Sequence, residues 1–328
     1  MKFLVIQTAF IGDVILATAV LEKLHAHYPD AQIDILVQKS NASLFDEHPF
    51  LGKVLVFDKK QKRIRSMVAM IRQVRKEQYD VVINLHRFFS SGLIMVLSGA
   101  TKTIGFAKNP LSRFFTSRVE HKISEKGTLH EVQRDLLLIS DLTDKDLSTR
   151  PRLYPSAQDF ARIHMDEAYI CIAPASVWFT KQWPAPKWIE LINALEDRYL
   201  VCLIGSKQDR ELCASIKNLA KTQRIKILAG DLSLLESAAL MKSARINFVN
   251  DSAPLHLASA MNAPVTAIFC STVPAFGFGP LSDKNFIAET ALELDCRPCG
   301  IHGYHACPLG HFKCAEIDVK NIIGNYNA

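Results

Sequence analysis

The sequence alternates short apolar runs with segments of helical periodicity, and it does so twice. The apolar runs of the first half occupy residues 3–7, 33–37, 54–57 and 81–85. Those of the second half occupy residues 169–173, 200–204, 225–228, 246–249 and 265–269. Helical patterns lie between the runs, at 14–24, 62–77, 87–97, 185–198, 207–221, 233–243 and 253–261. Short strands that alternate with helices predict parallel, doubly wound α/β sheets.

The two series are separated by an extended segment around Pro151 and Pro155. Each proline disfavours a helical conformation in the residue before it, so this segment is typical of a linker. A chain of 328 residues is also long enough for about two domains. We place the boundary between residues 150 and 151, and we expect two Rossmann-like domains that face a central cleft. Ligands of such sheets bind at the carboxyl ends of the strands, so functional side chains should follow directly after strands.

Positive charge is concentrated in one short stretch of the chain. The formal net charge is only +6, from 39 Lys and Arg against 33 Asp and Glu, and this bias is too small to indicate a nucleic-acid-binding protein. The basic stretch begins with Lys59, Lys60, Lys62 and Arg63. A solvated helix face and a site for an anionic partner both explain it.

Two segments bear on whether the chain enters a membrane. Residues 1–7 form a short apolar run that lacks the long apolar core and the cleavage site of a signal peptide. Residues 252–282 contain no Asp, Glu, Lys or Arg, but Pro254, Pro264 and Pro274 interrupt them. These features predict a cytoplasmic protein whose contact with a membrane, if it has any, is peripheral.

The loop after the first strand leads into Gly12 and Asp13. No G-x-G-x-x-G follows this strand and no P-loop sequence occurs in the chain, which argues against both of these nucleotide sites. Asp13 lies where a helix begins, so it is a candidate N-cap residue. It is also placed to act as a general base on an attacking hydroxyl, with Gly12 allowing close approach of the acceptor.

The strand at 169–173 runs into a loop that contains Ser176, Thr180 and Lys181. Pro184 marks the start of the next helix, so two hydroxyls and an ammonium group lie just ahead of a helix N-terminus. This combination suits a diphosphate, because Ser176 and Thr180 can donate hydrogen bonds and Lys181 can stabilise a leaving nucleoside diphosphate. A surface loop with an aromatic anchor is the alternative.

A third segment at the end of a strand contains Asp251, Ser252, Ala253 and His256. Asp251 or Ser252 would cap the apolar helix that follows, and a histidine one turn into that helix would be structural. Alternatively, the backbone amides of Ser252 and Ala253 bind the phosphates of a nucleotide, and a side chain contacts the donor. Three loops of this kind in one chain favour the functional interpretation.

These segments carry motifs that resemble a known family. The motifs, in order along nearly the whole chain, are Ile11-Gly12-Asp13, Lys181-x-Trp183-Pro184 with Trp188, and Asn250-Asp251-Ser252-Ala253-Pro254-x-His256. They are similar to glycosyltransferase family 9, the ADP-heptose:lipopolysaccharide heptosyltransferases. The family usually has glycine at the position of Ala253, which brings the identity of the donor into question if that position needs a positive φ.

The resemblance implies a GT-B fold in which domain 1–150 binds the acceptor and domain 151–328 binds the nucleotide-sugar donor. It implies an inverting transfer of heptose from ADP-heptose to the lipopolysaccharide inner core, at the inner face of the inner membrane. Asp13 would be the base and Lys181 would stabilise the leaving ADP, with no cofactor required. Donor contacts would come from Ser176, Thr180, Asp209, Leu232, Asp251, Ser252, Ala253 and His256. The carboxylates and phosphates of the acceptor would be bound near Gly12 by Lys59, Lys60, Lys62 and Arg63.

Two other functions remain open from the sequence. A family relative that uses another nucleotide sugar or another glycan acceptor would carry the same motifs. A non-catalytic two-domain protein that binds nucleotides or sugars would share the fold. Such a protein would need neither Asp13 nor a basic acceptor face, so both features favour an enzyme.

The eight cysteines fall into two groups. Four of them occur in apolar strand or helix patterns and are expected to be buried thiols, namely Cys171, Cys202, Cys213 and Cys270. The other four lie close together in the segment 296–314 and are Cys296, Cys299, Cys307 and Cys314. Their spacing, with three histidines nearby, is compatible with a structural zinc site. Unmetallated thiols and a disulfide are the alternatives.

Overall fold

The strand-forming runs of the sequence pair into two separate sheets. The computed structural model describes residues 1–58, 63–127, 129–195 and 197–327. It divides into an N-terminal unit, Met1–Ile123 with Leu129–Tyr154, and a C-terminal unit, Ser124–Thr128 with Pro155–Ala328. The main division, between Tyr154 and Pro155, lies four residues after the boundary that the prolines suggest.

The sheet of the N-terminal unit is parallel throughout. Its strands are β1 (Lys2–Ile6), β2 (Gln32–Gln38), β3 (Leu51–Phe57), β4 (Val81–Asn84), β5 (Lys102–Phe106) and β6 (Ser117–Val119). They lie in the order β3-β2-β1-β4-β5-β6. In the centre, Phe3 of β1 pairs with Ile33 of β2 and Val81 of β4. The order of strands reverses between β1 and β4, which is where a doubly wound sheet opens to a ligand.

The helices of the N-terminal unit are α1 (Ile11–His27), α2 (Arg63–Lys76), α3 (Phe89–Val96) and α4 (Glu131–Leu137). Short 3₁₀ segments are found at Lys39–Phe45 and Ser112–Phe114. Residues 14–21 of α1 are all buried, because α1 carries apolar or small side chains on every side and α4 packs against it. The position of Asp13 in α1 is therefore set by the core of this unit.

The sheet of the C-terminal unit is also parallel. Its strands are β7 (Tyr169–Ala173), β8 (Leu200–Leu203), β9 (Ile225–Ile227), β10 (Asn247–Asn250), β11 (Val265–Phe269) and β12 (Asn285–Glu289). They lie in the order β12-β11-β10-β7-β8-β9, so β7 and β10 are neighbours in the centre. The carboxyl ends of β7 and β10 lead into the two loops that the sequence singled out in this half.

The helices of the C-terminal unit are α5 (Ala157–Arg162), α6 (Ala185–Ala194), α7 (Arg210–Leu219), α8 (Leu234–Ser243), α9 (Ala253–Ala260) and α10 (Val319–Asn327). Short 3₁₀ segments are found at Phe179–Lys181, Lys207–Asp209, Pro274–Phe276 and Lys313–Ala315. The prediction of two parallel, doubly wound α/β sheets is confirmed. None of the helices in the described ranges is long and apolar enough to cross a membrane.

Candidate active site

Asp13 lies in the first turn of α1, after the loop that follows β1. The N-cap position is occupied by Phe10, so Asp13 is not the cap residue. Burial raises the pKa of the Asp13 carboxyl to about 6; the negative charge of Glu131 raises it as well, while Arg87 lowers it. Part of the residue remains exposed to solvent. An accessible carboxylate with this pKa can accept a proton near neutral pH.

A group of ionisable side chains on and around α4 interacts electrostatically with Asp13, and we call it the Glu131 cluster. It consists of Arg87, His121, Glu131, Arg134 and Asp135. The Glu131 carboxylate is 2.9 Å from His121 Nε2 and accepts a 2.7 Å hydrogen bond from Arg134 Nε. Burial alone would raise the pKa of Glu131, but these two partners lower it to about 2. Glu131 is therefore a fixed negative charge next to Asp13.

Asp135 is the most deeply buried carboxyl of the Glu131 cluster. The residue is 1% exposed, and its Oδ1 atom has no hydrogen-bond partner among the residues that the structure describes. Burial, together with the negative charges of Glu131 and Asp13, holds the pKa of Asp135 well above its usual value. A buried carboxyl without a full set of partners is neutral, because ionising it would cost far more than retaining its proton.

Sequence analysis did not single out any member of the Glu131 cluster. Charged residues on a helix are normally solvated, so Glu131, Arg134 and Asp135 did not stand out in the sequence. A signal was nevertheless present, because Glu131, Arg134 and Asp135 alternate with Val132 and Leu136 on a helix of only seven residues. Charged and apolar residues at such spacing share the buried face of α4.

The predicted acceptor-binding residues are only partly covered by the structure. Gly12 lies beside Asp13 in the first turn of α1. Lys59, Lys60 and Lys62 lie outside the described residues, and Arg63 is the first residue of α2. Because β1 and β3 are strands of one parallel sheet, the carboxyl end of β3 at Phe57 lies at the same edge as the loop before Asp13.

The structure brings together two residues that the sequence placed in separate motifs of the C-terminal unit. Lys181 Nζ lies 2.6 Å from Asp251 Oδ2, and the same oxygen accepts a 2.6 Å hydrogen bond from Thr272 Oγ1. The Lys181 side chain is 14% exposed and that of Asp251 is 6% exposed. Thr272 thus holds Asp251 in place, and Asp251 in turn fixes the Lys181 ammonium group at the carboxyl end of the sheet.

Thr180 and Asn250 hold the loops of this unit together. Thr180 is 1% exposed, and its hydroxyl accepts hydrogen bonds from Tyr304 N at 2.8 Å and Ser271 Oγ at 3.0 Å. The Asn250 side chain accepts from Trp183 N at 3.0 Å and donates to Pro174 O at 2.9 Å. The hydroxyl of Thr180 is thus engaged within the protein, whereas the sequence suggested a contact with the donor.

The third motif forms the start of α9. Ser252 is its N-cap residue and makes no capping hydrogen bond through its side chain. Ala253 is the first residue of the helix, so its backbone is in the ordinary right-handed region and does not need glycine. His256 is buried, with its ring centroid 6.5 Å from that of Phe278, and Ser176 lies half-buried in the loop after β7.

The two remaining donor candidates lie before helices α7 and α8. Asp209 Oδ2 accepts hydrogen bonds from Ser206 N at 2.7 Å and from Ser206 Oγ at 2.8 Å, which forms a capping box. Leu232 is half-buried and precedes Ser233, the N-cap residue of α8. Asp209 therefore has a structural role at a helix start in addition to any contact with a ligand.

The cysteines are all free thiols. The four expected in the core are buried. In the segment 296–314, Cys299 Sγ donates to Cys296 O at 3.0 Å and Cys296 Sγ lies 3.9 Å from His311 Nε2. Within the described ranges, no group of three or more His, Cys, Asp or Glu side chains is arranged to hold a metal ion. The zinc site predicted from the cysteine spacing therefore finds no support in these side-chain positions.

Solved structures resemble this chain over its whole length. Escherichia coli ADP-heptose lps heptosyltransferase II superimposes with a TM-score of 0.81 at 23% identity, covering 100% of this chain and 98% of that one. A glycosyl transferase family 9 protein from Veillonella parvula has a TM-score of 0.83 at 20% identity, covering 99% of this chain and 96% of that one. This likeness confirms the GT-B fold.

Sequence comparison identifies the family. Lipopolysaccharide heptosyltransferase 3 of Escherichia coli is 27% identical over 278 residues, covering 80% of this chain and 82% of the relative. The model of glycosyltransferase family 9 (heptosyltransferase) matches residues 67–301, which is more than half of the chain. The protein therefore belongs to glycosyltransferase family 9 and is a glycosyltransferase of the GT-B fold.

Proposed function

We propose that this protein transfers heptose from ADP-heptose to the inner core of lipopolysaccharide, with inversion at the anomeric carbon. Family membership and the names of the similar proteins support the sugar and the acceptor class. The observation that carries the mechanism is Asp13, a partly accessible carboxyl at the carboxyl end of β1 whose pKa is raised to about 6 by burial. Such a group is suited to deprotonate an acceptor hydroxyl.

The reaction is a single displacement in this proposal. Asp13 takes the proton of the acceptor hydroxyl as that oxygen attacks the anomeric carbon of the heptose. The bond between the anomeric carbon and the phosphate oxygen breaks, and its electron pair leaves with ADP. The configuration inverts because the nucleophile enters on the face opposite the leaving group.

We propose that the C-terminal unit, residues 155–328, binds the donor. Lys181 supplies positive charge to the diphosphate, and the backbone amides of Ser252 and Ala253 at the start of α9 donate to it. Asp251 orients Lys181 through their 2.6 Å contact. With this set of donors, the charge of the leaving ADP is stabilised by protein groups and no cofactor is required.

The remaining donor contacts are assigned by position. Ser176 and His256 lie in the loop after β7 and in α9, and we assign them to the phosphate and sugar portions. Asp209 uses Oδ2 in its capping box, so we assign Oδ1 to a ribose hydroxyl. Leu232 is assigned to the adenine ring.

We propose that the N-terminal unit binds the anionic acceptor at the inner face of the inner membrane. Gly12 allows the acceptor to approach Asp13, and the basic residues Lys59, Lys60, Lys62 and Arg63 bind its carboxylates and phosphates. The exposed basic residues of α2 add further positive charge to this unit, and they are Arg65, Arg72, Arg75 and Lys76. A positively charged surface of this kind also suits peripheral contact with anionic lipids.

The donor assignment is tested by thermal unfolding in the presence of ADP, UDP, GDP or CMP. A nucleotide that binds the folded state raises the melting temperature. We expect ADP alone to do so. A shift with UDP or GDP instead would replace ADP-heptose by another donor, and no shift with any nucleotide would contradict nucleotide-sugar binding.

The role of Asp13 is tested with the Asp13→Asn variant, which keeps the shape of the side chain but cannot take a proton. We expect heptose transfer to fall by about two to four orders of magnitude, while the ADP-induced rise in melting temperature is retained. Asp30→Asn, a change at an exposed position after α1, is the matched control. Full activity of Asp13→Asn would contradict the mechanism.

A further inference from the structure

The proposed chemistry uses Asp13 but leaves the Glu131 cluster without a role. Four of the five cluster residues are buried: His121, Glu131, Arg134 and Asp135. Burying so many ionisable groups costs free energy unless each is paired or neutral. The core of α4 could have been built from apolar side chains, so the charges require an explanation beyond packing.

The contacts of Glu131 fix both its position and its charge. His121 Nε2 lies 2.9 Å from Oε1 and 3.1 Å from Oε2, so one imidazole spans the carboxylate. Arg134 Nε holds Oε2 at 2.7 Å and its Nη1 donates to Leu129 O at 2.6 Å. Arg87 Nη1 lies 3.5 Å from His121 Nδ1, so Arg87 lies beside the same imidazole that contacts Glu131. Glu131 can neither rotate away nor lose its charge without breaking these contacts.

Asp135 is the carboxyl of the Glu131 cluster that its surroundings keep neutral. It is buried, and the negative charges of Glu131 and Asp13 both oppose its ionisation. An ionised Asp135 would add a third negative charge in a place where its Oδ1 has no partner among the described residues. The neutral acid is therefore the form that fits the cluster.

We propose that Glu131 and Asp135 are positioning residues that set the proton affinity of Asp13. Glu131, held by His121 and Arg134, supplies one negative charge that favours the proton on Asp13, and Asp135 remains a neutral acid. This inference rests on the proposed role of Asp13 as the base.

One negative charge beside Asp13 suits the reaction better than none or two. Without Glu131, the Asp13 carboxylate would be a weaker base toward the acceptor hydroxyl. With a second anion at Asp135, Asp13 would hold its proton at neutral pH and could not act as a base. With Glu131 ionised and Asp135 neutral, the proton affinity of Asp13 lies between these two cases.

Another titratable group at this edge is His86, which follows β4. It is buried, its Nδ1 lies 2.9 Å from Thr8 Oγ1, and its ring packs against Phe88. His86 is thus tied to the loop before α1, whereas Glu131 and Arg87 are the side chains whose charges act on Asp13.

The test is the pH dependence of kcat/KM for heptose transfer by the full-length protein. Activity requires ionised Asp13, so it rises with pH through the pKa of that group. In Glu131→Gln we expect the acidic limb of this profile to move to lower pH by about one unit. We also expect kcat at neutral pH to fall by about threefold to tenfold, with KM for the donor unchanged. Glu120→Gln, at a surface carboxylate paired with Lys122, is the matched control and should leave the profile in place.

Asp135→Asn tests the second half of the proposal. Asparagine replaces a neutral acid of the same shape, so the acidic limb should stay where it is in the wild type. If the limb moves down by about one unit, Asp135 is an anion in the native protein and that half is wrong.

Removing Glu131 leaves the Arg134 guanidinium buried without its partner, so Glu131→Gln is compared with the double variant Glu131→Gln/Arg134→Gln. The double variant removes both charges of the pair and is expected to show the same downward shift.

If the acidic limb stays in place in a folded, active variant of either kind, the proposal is overturned. Loss of transfer in Asp13→Asn together with an unmoved limb would reject the role of Glu131 while the proposed function stands. Full activity of Asp13→Asn would reject the base itself.

Discussion

At the residue scale, the chemistry of this protein depends on carboxyl groups whose proton affinities are set differently by their surroundings. Burial makes Asp13 a stronger base than a solvated aspartate, whereas His121 and Arg134 keep Glu131 ionised. In the C-terminal unit, Asp251 accepts from both Lys181 and Thr272 and keeps an ammonium group in place. The same functional group is thus a proton acceptor, a fixed charge or an anchor, according to its partners.

The first prediction at this scale concerns pH. Asp13 has a pKa of about 6 in the folded protein. Below that pH it is protonated and cannot accept the acceptor proton, so kcat/KM should fall about tenfold for each unit below the midpoint. A steady-state profile from about pH 4.5 to 8, with the melting temperature followed over the same range to exclude unfolding, measures this. A midpoint near the ordinary aspartate value would contradict the role of burial.

The second prediction concerns Lys181. Lys181→Gln removes the charge that faces the leaving diphosphate, so kcat should fall by about two to three orders of magnitude and the ADP-induced rise in melting temperature should shrink. Lys187→Gln is the matched control, because its exposed ammonium contacts Glu190 at 2.8 Å within α6. If both substitutions lowered transfer equally, Lys181 would act only through its contribution to the overall positive charge of the protein.

At the element scale, the strands were easier to predict than the contacts between loops. Central strands such as β1 and β7 are buried on both faces and therefore appear as apolar runs in the sequence. Three strands were missed. In β5, Lys102, Thr103 and Gly105 interrupt the apolar residues. The edge strands β6 and β12 are short or partly exposed and carry charged residues. The pairing of Lys181 with Asp251 was missed for a different reason, since about 70 residues separate them in the sequence and only the adjacency of β7 and β10 brings them together.

A loop-to-loop contact yields the third prediction. Thr180→Val removes the hydroxyl that accepts from Tyr304 N and Ser271 Oγ, and it leaves both donors without that acceptor. The free energy of unfolding should fall by about 1–3 kcal/mol. Urea denaturation measures it, with the exposed Thr101→Val as control. Thr180→Ser keeps the hydroxyl and should recover most of the loss, and a failure to recover would show that the methyl group matters instead.

At the scale of the whole molecule, each unit has its own sheet and its own buried apolar residues. The N-terminal unit is not a single continuous stretch, because Leu129–Tyr154 returns to it after Ser124–Thr128. The returning segment supplies α4. It is also tied to α1 by two hydrogen bonds, since Arg152 N donates to Thr18 Oγ1 at 2.9 Å and Tyr154 OH donates to Glu22 at 2.9 Å. The prolines of the linker indicated the boundary, but nothing in the sequence indicated that the chain before it packs on α1.

The fourth prediction follows from this return. A fragment of residues 1–154 contains the whole sheet of the N-terminal unit together with α4, so it should unfold cooperatively in urea. A fragment of residues 1–123 lacks the helix that covers α1 and should expose apolar surface and unfold over a broad range of urea. Circular dichroism and binding of an apolar dye distinguish the two fragments. Equal cooperativity would show that α4 contributes little to this unit.

The return of the chain also sets the order in which the protein matures during synthesis. A ribosome that has released β1 to β6 has made every strand of the first sheet, and domains generally begin to fold as they emerge. Asp13 is then already present, but Glu131 and Asp135 have not yet joined it. Because α4 covers α1, the nascent chain completes the packing of its first unit, and places Glu131 and Asp135 near Asp13, only after α4 has been translated.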